Sequence, residues 1–145
     1  AYNDYFKSMT DGCIILAHSQ GGLFSLEAAL TCPENIRGIV LLESSSTLDP
    51  NERDVSALEG IPTLFVYGDF LEDRYKIDGY YWPGQYAYEG SMKHLYEHLK
   101  AAGRDTEWMY LPDRGIYGNT HALMMENNSR QIADLICDWL KEHVK

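Results

Sequence analysis

The chain has 145 residues, 45% of them hydrophobic and 12% aromatic, which is enough to bury a core and reads as one globular domain over 1–145. A formal net charge of −10, with no basic cluster to interrupt it, argues against nucleic acid or an anionic membrane surface as a partner. No apolar run approaches the ~20 residues that a bilayer-spanning helix needs.

Tyr2, Tyr5, Phe6 and Met9 recur at spacings of three and four, so residues 2–10 read as the end of a helix, turned by Asp11-Gly12. The short run Cys13-Ile14-Ile15-Leu16 is uniformly apolar and predicts a buried parallel strand. From Gln20 the pattern becomes that of a well-buried helix through Leu23, Phe24, Leu26, Ala28 and Leu30, closing before Pro33. Ser19 therefore stands on a tight strand-to-helix turn, its hydroxyl at the sheet edge and the first helical N–H groups beside it. This is the layout of a nucleophile elbow, Gly-x-Ser-x-Gly, with Ala17 in the first glycine position and Gly21 in the second. Side chains two residues either side of the serine are expected to collide where strand and helix pass.

A second buried strand is predicted over Gly38–Leu42, ending at Glu43, and Ser44–Thr47 follow as a loop. Asp54–Glu59 reads as a short helix and Pro62–Tyr67 as a third strand, stopped by Gly68-Asp69. The stretch 70–90 holds Tyr75, Tyr80, Tyr81, Trp82, Tyr86 and Tyr88 without a period, which suits a binding loop or lid, with Tyr81 and Trp82 as substrate contacts. An amphipathic helix from Ser91 to Ala102-Gly103 follows, with Met92, Leu95, Tyr96 and Leu99 on one face. Thr106–Leu111 predicts a fourth strand at a sheet edge, and 112–121 a polar loop. Ser129 is expected to cap a last helix striped by Ile132, Leu135, Ile136, Trp139 and Leu140. Strand and helix alternate four times, which calls for an α/β fold: a parallel sheet with helices on both faces.

The odd number of cysteines, Cys13, Cys32 and Cys137, reads as buried free thiols and leaves the compartment open. Asn127-Asn128-Ser129 is a glycosylation sequon that more simply serves as turn and cap.

A serine hydroxyl is a poor nucleophile until a base takes its proton. Of five histidines, His121 is the best placed, in a loop that Gly118 and Asn119 allow to turn tightly. His18 adjoins the serine, but its side chain must leave the turn in another direction, so it is read as lining the pocket or packing. The imidazole in turn needs a carboxylate. Glu43 and Asp69 both follow strands at the edge of the sheet where sites of open α/β folds gather. His94-Leu95-Tyr96-Glu97-His98 matches a zinc pattern, but the apolar stripe leaves both histidines toward solvent and no third ligand is evident, so no metal or cofactor is expected.

The order Ser19, acid, His121, together with the strand, elbow and helix, resembles the α/β-hydrolase superfamily, and the resemblance covers most of the chain. The stretch Gly115-Ile116-Tyr117-Gly118-Asn119-Thr120-His121-Ala122-Leu123-Met124-Met125, then Asn128-Ser129 and Ile132-Ala133-Asp134, looks like a narrower group of microbial, often secreted, serine esterases. Their triad acid is a glutamate after strand six, the position of Glu43, whereas the commoner pattern would place the acid at Leu71 or Glu72 and fits Asp69 poorly. The resemblance implies a C-terminal portion of such a domain, whose N-terminal strands and oxyanion loop come from a missing segment or partner chain. It also implies hydrolysis of a small-molecule ester through an acyl-enzyme, with the Gln20 N–H as one oxyanion donor and feeble activity from this chain alone. The alternatives are a non-catalytic binding module on the same fold, or another triad hydrolase acting on thioester or carbon–carbon bonds.

Overall fold

A computed structural model of the chain describes residues 1–45, 48–71 and 92–145. Tyr81 and Trp82, with the expected binding loop, lie outside the described residues. Four apolar segments become β1 (Cys13–His18), β2 (Ile36–Leu42), β3 (Thr63–Tyr67) and β4 (Thr106–Tyr110). They lie side by side in chain order, each parallel to the next. The register sets Leu41 beside Phe65 and Phe65 beside Trp108, and brings the last residues of β1 and β2, His18 and Leu42, level at one edge.

Alternation along the strands divides the core in two. Ile15, Ala17, Ile39, Leu41, Phe65 and Tyr67 point to one face, where they pack with Phe6 of α1 (Tyr2–Lys7), Leu26, Ala28 and Ala29 of α2 (Gly21–Thr31), and Leu95 and Leu99 of α3 (Lys93–Ala101). Val40, Leu42, Leu64, Val66 and Met109 point to the other and meet Ile132, Ile136 and Trp139 of α4 (Ser129–His143). Helices thus cover both faces, as the alternating pattern predicts. All five residues of β3 are buried, and each large apolar side chain so enclosed contributes roughly 2 kcal/mol. Trp108 stacks on Tyr67, ring centroids 4.4 Å apart, and covers the edge of the first core.

Several local expectations change. β1 is not buried throughout: Ile14 is 45% and Leu16 63% exposed, because the α4 cluster reaches β2, β3 and β4 and stops short of β1. The predicted helix over Asp54–Glu59 is only a 3₁₀ turn, Ser56–Leu58; the Asp54 carboxylate accepts the Ser56 N–H at 2.9 Å, a local bond that competes with helix. Ser129 is the first residue of α4 rather than its cap, which is Asn128, and the cap side chain makes no capping bond. α1 ends at Lys7.

Cys137 is exposed on α4, since the buried stripe of that helix runs through Ile132, Ile136 and Trp139. Cys32 is buried and Cys13 half-buried, and burial pushes both thiols up, helped by Glu34 near Cys32 and by Cys32 near Cys13. Only the thiolate is nucleophilic. Iodoacetamide near neutral pH should therefore modify Cys137 at least about tenfold faster than Cys32 in the native protein, as peptide mapping would read out.

Candidate active site

The site is built where β1 and β2 end. Ser19, one residue beyond β1, has φ +54°, and Glu43, one residue beyond β2, has φ +45°. These are the two non-glycine residues with positive φ among the described residues. Each such kink costs of order 1–3 kcal/mol and persists only where the surroundings impose it. They do so here through the backbone: Ser19 N–H donates to the Leu42 carbonyl at 3.1 Å, Glu43 N–H donates to that of Val66 at 2.9 Å, and the Ser19 carbonyl accepts from Gly22 and Ser45.

The tight approach falls one residue later than the motif suggests. A Cβ on Gly21 would meet nothing within 4 Å among the described residues, whereas one on Gly22 would lie 2.5 Å from the Ser44 Cβ. The reason is Ser44, which is fully buried between strand and helix. Its hydroxyl donates to the Ala17 carbonyl at 3.2 Å, and its own carbonyl accepts from the Tyr67 hydroxyl at 2.8 Å. The sequence reading leaves Ser44 as plain loop; the glycine pair Gly21-Gly22 is the one signal of what must fit beside it.

His121 Nε2 lies 2.8 Å from the Ser19 hydroxyl, and His121 Nδ1 lies 3.8 Å from a carboxylate oxygen of Glu43. Glu43 is 1% exposed, and its other oxygen accepts the Gly68 N–H at 2.5 Å. Serine, imidazole and carboxylate thus form a continuous row, with the imidazole able to accept a proton from the hydroxyl and the carboxylate facing the nitrogen opposite. Gln20 stands at the N-cap of α2, next to Ser19.

The competing carboxylate, Asp69, is also buried, but it is used differently. One oxygen accepts the Asn119 N–H at 2.8 Å and the other the Gly118 N–H at 3.1 Å. It thereby holds the loop that carries His121. Glu126, which the sequence reading passes over, does the same from the far side: one oxygen accepts both the N–H and the hydroxyl of Thr120. Asn119 is fully buried, and a Cβ on Gly68 would come within 2.7 Å of its carbonyl oxygen, so strand end and loop pass in near contact. His18 Nε2 lies 2.7 Å from the His121 carbonyl oxygen. Among the described residues no three His, Cys, Asp or Glu side chains gather as a metal would require, and His94 and His98 are exposed on α3. No described helix is long and apolar enough to cross a membrane.

No family model matches the sequence. Over 46 residues, 32% of this chain and 13% of the other, it is 41% identical to a fungal protein named "Probable secreted lipase phiG", from Fungal sp. strain ATCC 74256. A solved bacterial esterase superposes on 99% of the chain with a TM-score of 0.84 at 30% identity. The chain spans 43% of the length of that esterase. With its all-parallel sheet between helices and its likeness to both proteins, the chain is esterase-like and carries an α/β-hydrolase fold.

Proposed function

We propose that this chain carries the catalytic residues of a serine hydrolase that cleaves carboxylic esters through an acyl-enzyme. The observation that supports this most is the 2.8 Å approach of His121 Nε2 to the Ser19 hydroxyl, on a residue held at φ +54°. In this reading His121 takes the hydroxyl proton as Ser19 attacks the ester carbonyl, then returns it to the departing alcohol. A water activated by the same imidazole releases the acid. Glu43 fixes the His121 tautomer and offsets the imidazolium charge. The oxygen that becomes anionic during attack is met by the Gln20 N–H at the head of α2, one donor of this type being worth about 3 kcal/mol. A second donor comes from a segment beyond these 145 residues, which fits a chain spanning 43% of the bacterial esterase. The chain by itself is accordingly a feeble catalyst. Secretion is the favoured location, supported by the likeness to a secreted lipase.

The test is labelling of the complete protein with a fluorophosphonate. Phosphonate should appear on the peptide bearing Ser19, and Ser19→Ala should abolish it together with turnover. A folded, complete protein left unlabelled at Ser19 would overturn the reading.

A further inference from the structure

The backbone around His121 is fixed from three directions. Asp69, beyond β3, takes the N–H groups of Gly118 and Asn119; Glu126 takes the N–H and hydroxyl of Thr120; His18 reaches the carbonyl of His121 itself. The first two anchors act on residues before the imidazole and belong to elements away from the nucleophile. His18 is different. It is the last residue of β1, bonded covalently to Ser19, and its backbone is locked to β2 opposite Leu42. A carbonyl oxygen only accepts, so the 2.7 Å contact requires His18 to carry a proton on Nε2 and donate it. The rings of His18 and His121 lie 4.6 Å apart between centroids and tilted by 43°, side by side rather than in competition for the same proton.

We propose that His18 is a positioning residue for His121: it ties the carbonyl of the base to the strand that carries the nucleophile, so that the 2.8 Å reach from His121 Nε2 to Ser19 is set within one rigid unit. This rests on the reading of Ser19 and His121 as nucleophile and base. It departs from the expectation that His18 lines the substrate pocket, and the two roles have different kinetic signatures. A pocket-lining side chain acts on KM, or on KM and kcat together. A residue that holds the base acts on the chemical step, and misplacement of a reacting group by about 1 Å can cost on the order of a hundredfold.

Three versions of the complete protein separate these cases: wild type, His18→Gln, whose amide N–H can still donate to the His121 carbonyl, and His18→Phe, which keeps a ring but has no donor. Ester turnover and the rate of Ser19 phosphonylation are followed in each, beside the thermal unfolding midpoint. We expect His18→Phe to lose at least about tenfold in kcat and in phosphonylation rate with KM within about twofold, and His18→Gln to recover most of that loss. Equal rates in all three, a change confined to KM, or loss in Gln equal to that in Phe overturns the role of His18 while leaving the hydrolase reading intact. A wild-type protein in which Ser19 takes no label overturns both. If Phe does not fold, His18→Ala, which also lacks a donor, takes its place, and the same comparison with Gln and wild type decides.

Discussion

Glu43→Gln should lower kcat by about a thousandfold or more with little change in the unfolding midpoint. The substitution keeps an oxygen for the buried Gly68 N–H, which Glu43 accepts at 2.5 Å, so the local fold has what it needs. On the side facing His121 Nδ1, however, an acceptor is replaced by an amide donor. The imidazole must then present a lone pair at Nδ1 and carry its proton on Nε2, where it can no longer accept from Ser19. A wrong-tautomer change of this kind costs about four orders of magnitude in serine proteases, and loss of the imidazolium's counter-charge acts in the same direction. Asp69→Ala should behave oppositely. It strips the buried Asn119 N–H of its acceptor, at roughly 1–3 kcal/mol, and the more exposed Gly118 N–H of its own at less, so the unfolding midpoint falls and activity declines with it. Steady-state kinetics and thermal melts on both variants of the complete protein check this. If Asp69→Ala lost the more turnover while remaining as stable as wild type, Asp69 and not Glu43 would be the acid.

Gly68→Ala should be nearly as damaging although no catalytic atom is altered. The added methyl would lie 2.7 Å from the carbonyl oxygen of Asn119 and 2.8 Å from its Cβ, atoms that can yield only if the loop shifts. That loop is also held by Asp69, Glu126 and His18, so movement in one place strains the other anchors. Overpacking of this sort costs typically 1–3 kcal/mol, and a shift approaching 1 Å at His121 costs about a hundredfold in rate. A slowed Ser19 phosphonylation beside a lowered melting midpoint is the expected pair of results; an unchanged labelling rate would show that the loop relaxes without moving the imidazole. Gly21→Ala is the control, because its Cβ would meet no described atom within 4 Å.

The elements that position the site are those whose signals are local. Four short apolar runs and the abrupt change at Ser19-Gln20 are enough to place strands, turn and helix within a few residues. What brings Ser19, Glu43 and His121 together is the order and parallel register of β1 to β3, which no single window of sequence contains. Glu43 could be named only through family resemblance, since at the level of residues it and Asp69 are alike: carboxylates beyond strand ends. The features missed are non-local. Ser44 matters because β1, β3 and α2 converge on it, and Glu126 because its carboxylate folds back onto Thr120. The helix predicted over 54–59 fails for the opposite reason: a local side-chain bond from Asp54 competes with it.

The left-handed backbone at Ser19 and Glu43 has a further consequence for how the sequence responds to selection. Any pressure for foldedness alone, whether in the cell or in a laboratory screen for heat resistance, favours glycine at Ser19, where the kink is then free of its steric cost and little is lost in packing. On the proposed function, such a protein is the more stable for the change and has lost its nucleophile. If Ser19 is the nucleophile, as proposed, chemistry asks for serine at that corner against the direction in which stability pulls, and screens for robust variants of this fold need an activity filter from the first round.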